Sequence, residues 1–374
     1  MELKKLKDQV VVITGASSGI GLVTARMAAE RGARLVLAAR NEEALKTLVA
    51  ELTQQGHTAV YVVADVGREE DVQQIADTAI RTYGTFDTWV NNAGVSIFGK
   101  IMDVDIDDMK HMFDTNFWGT VYGSRLAVKH FAERQAAGAL INVGSIFGDR
   151  ANVIQSTYSA SKYALHGFTT ALRMELEKDK APVSVTLIHP GRIDTPYNEH
   201  ARSYIPQQPA HRGMIYPPES VAEAILFAAA HPKRDMYVGS QAKIGAVMGA
   251  VAPRLTDKIM ELVMYATQRS SRPSRSKEDN ALYEPGYGLH ERGTHEGWVR
   301  SGSFYVTAQK RPITTLLASV GVVVLAWSLA TNKFKKGTRV WRYLNAKSPL
   351  KGLFAFRSEL ILQANFASYF HLLW

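Results

Sequence analysis

Short runs of apolar, often β-branched residues recur along the first half of the chain: VVVIT at 10–14, RLVLAA at 34–39, AVYVVA at 59–64, FDTWVN at 86–91, ALINVG at 139–144 and VSVTLI at 183–188. Few of them alternate strictly with polar residues, so they predict strands buried on both faces. The stretches between them are long enough for helices, as in LVTARMAAERG at 22–32, and that succession predicts parallel crossovers. The expected fold is α/β, a doubly wound parallel sheet over residues 1–250. After about Gly245 the pattern dissolves. Residues 251–311 include TQRSSRPSRSKEDNALYEPGYGLHERGTHEGW, rich in Ser, Gly, Pro and charge, and are expected to form an irregular extension or linker. No charged residue interrupts 312–332, and a basic tail fills 333–374.

Composition changes this picture in two places. The chain of 374 residues carries a formal charge of +9, but Thr331 to Trp374 holds eight Lys or Arg against one Glu, which leaves +2 for the rest. A basic tail, rather than a basic domain face, argues against nucleic acid as a partner. The absence of cysteine excludes a disulfide framework, a thiolate metal site and a catalytic thiol. The apolar run in MELKKLKDQVVVITG is too short for a signal peptide.

Thr14-Gly15-Ala16-Ser17-Ser18-Gly19-Ile20-Gly21 follows the first strand and opens a helix. Glycines there permit a tight turn and close backbone approach, and the helix N-terminus offers N–H groups to a pyrophosphate, as in a Rossmann fold. At the end of the second strand the chain reads Ala39-Arg40-Asn41, with no carboxylate to accept from a ribose 2′-hydroxyl. A guanidinium at Arg40 favours a 2′-phosphate, so the expected cofactor is NADP(H). Further on, YSASK at 158–162 sets Tyr158 and Lys162 four residues apart, on one face of a helix. A neighbouring ammonium is expected to lower the phenol pKa and so fit Tyr158 for proton transfer.

TGASSGIG, NNAG at 91–94, Asn116, Ser145 in INVGS, YSASK and HPG at 189–191 together resemble the short-chain dehydrogenase/reductase family, in its TGxxxGxG branch. The resemblance covers roughly Leu6 to Gly245. It implies Tyr158 as general acid/base, Lys162 as the group that tunes it and holds the nicotinamide ribose, Ser145 as a donor to the substrate oxygen, and Asn116 in a water-linked proton relay. It also implies that Gly15, Ser17, Ser18, Gly19, Ile20, Gly21, Arg40, Asp65, Asn92, Gly94, Pro190, Gly191, Ile193 and Thr195 line the cofactor. No metal is needed, and homo-oligomers are expected. The implied reaction interconverts a secondary alcohol and a ketone. Ile97, Phe98, Phe147, Tyr197 and Tyr204 point to a hydrophobic, lipid- or steroid-like substrate, or equally to ordinary core and lid positions. A catalytically quiet, membrane-tethered scaffold is the alternative, though Ser145, Tyr158 and Lys162 are all present.

The twenty-one uncharged residues of 312–332 would span roughly 31 Å as a helix, close to the ~30 Å of a bilayer core. They predict a membrane helix, with the catalytic domain in the cytoplasm. The positive-inside rule would keep the basic tail there as well, which a re-entrant or interfacial helix reconciles.

Overall fold

The structure is a computed structural model that describes residues 1–295 and 297–310; the expected membrane helix at 312–332 and the tail at 333–374 lie outside the described residues. Seven strands form one parallel sheet: β1 (Val10–Thr14), β2 (Arg34–Ala39), β3 (Ala59–Val63), β4 (Thr88–Asn91), β5 (Gly138–Val143), β6 (Val183–Pro190) and β7 (Asp235–Val238). Their spatial order is β3-β2-β1-β4-β5-β6-β7. The order reverses at β1 and β4, and ligands of such sheets bind at that switch point, beyond the carboxyl ends of the strands.

Both faces of the inner strands β1, β4, β5 and β6 are buried, which explains their apolar runs, while the edge strand β3 is only partly buried. Val11 and Ile13 pack beneath α1 (Gly19–Glu30), α2 (Glu42–Gln54) and the helix Pro218–Ala230. Val10 and Val12 face α3 (Glu69–Tyr83), α5 (Gly119–Glu133) and α6 (Ser156–Lys178), where Trp89, Phe86 and Phe131 are fully buried. The helix α4 (Ile106–Phe113) continues into α5 through a single π-helical turn, Asp114–Trp118.

The strand Asp235–Val238 was not expected. Residues 251–310 fall in the stretch expected to be an irregular extension or linker. They belong to the compact unit Met1–Lys310 and hold short helices, including Pro253–Ile259 and Phe304–Lys310, and a strand, Arg269–Pro273, paired with Gln207–Pro209. Among the described residues no helix is long and apolar enough to cross a membrane.

Candidate active site

Beyond the carboxyl ends of β1, β4, β5 and β6 lies a cavity of about 250 Å³. Its floor begins with the glycine loop. Gly19 has φ +52°, a conformation that suits glycine, and a Cβ on Gly21 would overlap the Gly15 carbonyl, so α1 can start tight against the strand end. The helix opens with a bond from Leu22 N to Ser18 O, so the amides of Ile20 and Gly21 precede it, with the positive end of the helix dipole behind them. Asn92 braces the loop by donating from Nδ2 to Thr14 O at 2.9 Å.

The cavity is lined by Gly15, Ser17, Ser18, Gly19 and Ile20 on one side, and by Arg40, Asp65, Asn92 and Gly94 along the next wall. Ser145, Tyr158, Lys162, Pro190, Gly191, Ile193 and Thr195 complete it. Two expected residues stand behind this surface. Gly21 acts through packing. Asn116 is fully buried in the π-helical turn; its Oδ1 accepts from Val95 N at 2.8 Å and its Nδ2 donates to Val95 O at 3.0 Å. Its side chain therefore braces the wall after β4 instead of facing the cavity.

Ser145 follows β5, and its Oγ accepts from Phe147 N at 3.1 Å. From α6, Lys162 donates to Val143 O at 3.0 Å and holds its Nζ 5.8 Å from the centre of the Tyr158 ring. The i, i+4 spacing thus brings the pair together as expected. The electrostatics differ. Burial pushes the Tyr158 phenol above its usual 10, with only partial relief from the Ser145 and Tyr197 hydroxyls. Burial lowers Lys162 to about 8. Desolvation outweighs these hydroxyls, so Tyr158 carries its proton at neutral pH.

Of the apolar residues expected around the substrate, Phe147 and Tyr197 line the cavity. Ile97 and Phe98 are buried core, and the Tyr204 hydroxyl donates to Asp105 and Asp108. Sequence reasoning missed three partners here. Gln155 donates from Nε2 to Tyr197 OH at 2.7 Å and to Ser96 Oγ at 3.0 Å. His211 lines the cavity stacked on Tyr197, and burial lowers its pKa to about 3, so it is neutral. Behind Ser145, Asp149 is within hydrogen-bonding distance of His166 (3.2 Å) and His189 (2.8 Å). Only the HPG triplet gave any hint of this cluster.

A family model described as short chain dehydrogenase matches residues 9–205. An uncharacterized oxidoreductase of Bacillus subtilis, YxnA, is 67% identical over 331 residues, covering 88% of this chain and 92% of that protein. An uncharacterized oxidoreductase of Staphylococcus aureus is 38% identical over 228 residues, covering 61% of this chain and 94% of its own length. A crystal structure of a short chain dehydrogenase/reductase from Burkholderia phymatum, in complex with NAD, superposes with a TM-score of 0.58 at 26% identity, covering 70% of this chain and 96% of that one. The chain belongs to the short-chain dehydrogenase family and is an oxidoreductase whose fold binds a nicotinamide dinucleotide.

Proposed function

We propose that this protein is an NADP(H)-dependent oxidoreductase that interconverts a hydrophobic secondary alcohol and its ketone, with Tyr158 as the acid/base. One observation carries the reading: Ser145, Tyr158 and Lys162 share a cavity with the glycine loop. The nicotinamide dinucleotide, when bound, supplies or accepts the hydride. As a ketone becomes an alcohol, negative charge grows on its oxygen; Ser145 Oγ donates a hydrogen bond to that oxygen, and Tyr158 transfers its hydroxyl proton to it. The phenolate left behind is stabilised by the Lys162 ammonium and reprotonated from solvent. In the oxidative direction the same groups run in reverse. Held above its usual pKa, the phenol starts in the protonated form that ketone reduction requires.

Support for the 2′-phosphate form comes from Arg40, which lines the cavity where β2 ends at Ala39, a position without a carboxylate. Its guanidinium gives three N–H bonds to the carbonyls of Ala281, Leu282 and Tyr283 and retains two further donors. Phe147 and Tyr197 on the inner wall support a hydrophobic substrate. Attachment to a membrane from the cytoplasmic side is a reading of the sequence of 312–332 alone. It predicts that full-length protein resists alkaline carbonate extraction; release like a peripheral protein would end it.

The test of the activity is oxidation of NADPH and of NADH by wild-type protein with a panel of lipid-like and small ketones. The expected result is turnover with NADPH favoured over NADH. Preference for NADH would remove the role given to Arg40, and no turnover with any ketone would count against the substrate class.

A further inference from the structure

The segment Ala281–Glu291, which composition marks as linker, lies across the cofactor groove. Its first residue donates from Ala281 N to His200 O at 2.8 Å, beside the substrate end. Leu282 is fully buried, and its carbonyl meets His111 Nε2 at 3.1 Å; Tyr283 donates its hydroxyl to Asp108 at 2.8 Å. Asn41 Nδ2, at the end of β2, donates to Gly286 O at 2.9 Å. The far end fastens to the glycine loop itself: Leu289 N donates to Ser17 O at 2.8 Å, and Gly19 N donates to His290 O at 2.9 Å. Glu291 closes the run on Arg26 of α1 at 2.6 Å.

We propose that Ala281–Glu291 is a strap belonging to the dinucleotide site, which retains the bound cofactor and fixes Arg40 beside it. Three observations separate this from a general brace. Ala281, Pro285 and Gly286 line the same cavity as Tyr158. The strap's partners Ser17, Gly19 and Arg40 are themselves cavity residues. And the strap leaves the amides of Ile20 and Gly21, ahead of the first helical bond, for an anion. It takes the Gly19 amide but leaves the next two amides of the helix start for a pyrophosphate. Crossing from the substrate side to α1, it must lift before a dinucleotide can leave. This inference rests on the dinucleotide reading of the groove but not on the ketone chemistry.

Gly288 supplies the test, because a Cβ there would overlap that of Ala44 on α2 and a larger side chain must raise the strap. NADPH release from full-length protein is followed by stopped-flow fluorescence after mixing with excess NADP⁺, with NADH and NAD⁺ as a second pair. Gly288→Val is expected to release either cofactor at least tenfold faster than wild type, and Tyr283→Phe, which loses the Asp108 bond, severalfold faster. Gly302→Ala, with nothing within 4 Å of the added methyl, should match wild type. In wild type, amide hydrogen exchange of peptides covering 281–291 should slow on NADPH addition together with peptides of the glycine loop, a readout that stands even if Gly288→Val does not fold. Unchanged release from folded Gly288→Val, or no added protection of 281–291, overturns the proposal. Normal NADPH binding without ketone turnover would sink the proposed reaction alone, whereas failure to bind either cofactor would overturn both.

Discussion

Lys162 is only 4% exposed, and burial lowers its pKa from 10.5 to about 8. At neutral pH it is still mostly protonated, so the folded state carries a desolvated ammonium; at ~1.4 kcal/mol per unit the shift costs about 3 kcal/mol. The sign follows from proton counting: between about 8 and 10.5 the unfolded chain holds a proton that the folded one has released, so stability rises with pH through that window. Lys162→Met is expected to be more stable than wild type at pH 7 by roughly 2 kcal/mol, since the Val143 carbonyl loses its donor at a cost of about 1 kcal/mol. The gap should shrink as pH rises, while turnover is lost at every pH. Urea unfolding of both proteins at pH 7 and pH 10 checks this. A wild type more stable than the variant at pH 7 would contradict it. The i, i+4 spacing of Tyr158 and Lys162 was legible in YSASK, but the desolvation of both groups was not, because it depends on how far the surrounding chain closes off water.

The elements most visible in the sequence are those whose burial is symmetric. β1, β2 and β6 begin at the expected residues because both faces are packed and every position is apolar or hydrogen-bonded inside the sheet. β7, DMYV, escaped because an edge strand of four residues gives no comparable run. The strap escaped for another reason: most of its bonds to the site use its backbone carbonyls and amides, which any sequence carries. The cluster behind Ser145 joins elements far apart in the chain. Asp149 follows the turn Ile146–Gly148, His166 lies on α6, His189 on β6, and Asp235 on β7 stands 3.4 Å from His189. Burial pushes the Asp149 carboxyl up, but hydrogen bonds from His166 and His189 outweigh it and hold the pKa at about 2. A depressed carboxyl contributes stability that is complete above its ordinary 3.8 and lost as pH falls through about 2. Asp149→Asn should therefore lower stability at pH 7 by roughly 1–3 kcal/mol and flatten its dependence on pH below 4. Thermal melts of the two proteins from pH 7 to pH 3 decide it; parallel curves would show that the carboxylate has no such role.

At the scale of the whole molecule, the described residues form one unit in which the glycine loop, Tyr158 and the segment Ala281–Glu291 meet around one cavity above the switch between β1 and β4. The doubly wound order was legible from the strand runs and the glycine loop, because those features serve the local chain. Association between copies was expected only from resemblance. It is favoured by apolar side chains left in water at the end of the π-helical turn and along α6, with Trp118 46%, Tyr163 43% and Met174 57% exposed. Full-length protein should sediment as a dimer or larger at micromolar concentration, and Trp118→Arg should move it toward monomer; a monomeric wild type would remove the proposal. The central claim is that this architecture delivers one proton, from Tyr158, to a substrate oxygen. Its most direct measurement compares NADPH-dependent ketone reduction by wild type and Tyr158→Phe, with NADPH affinity measured in the same preparations. The account predicts unchanged affinity and turnover reduced by at least the ~10²–10⁴-fold attributed to proton transfer. Turnover within a few fold of wild type in Tyr158→Phe would contradict it.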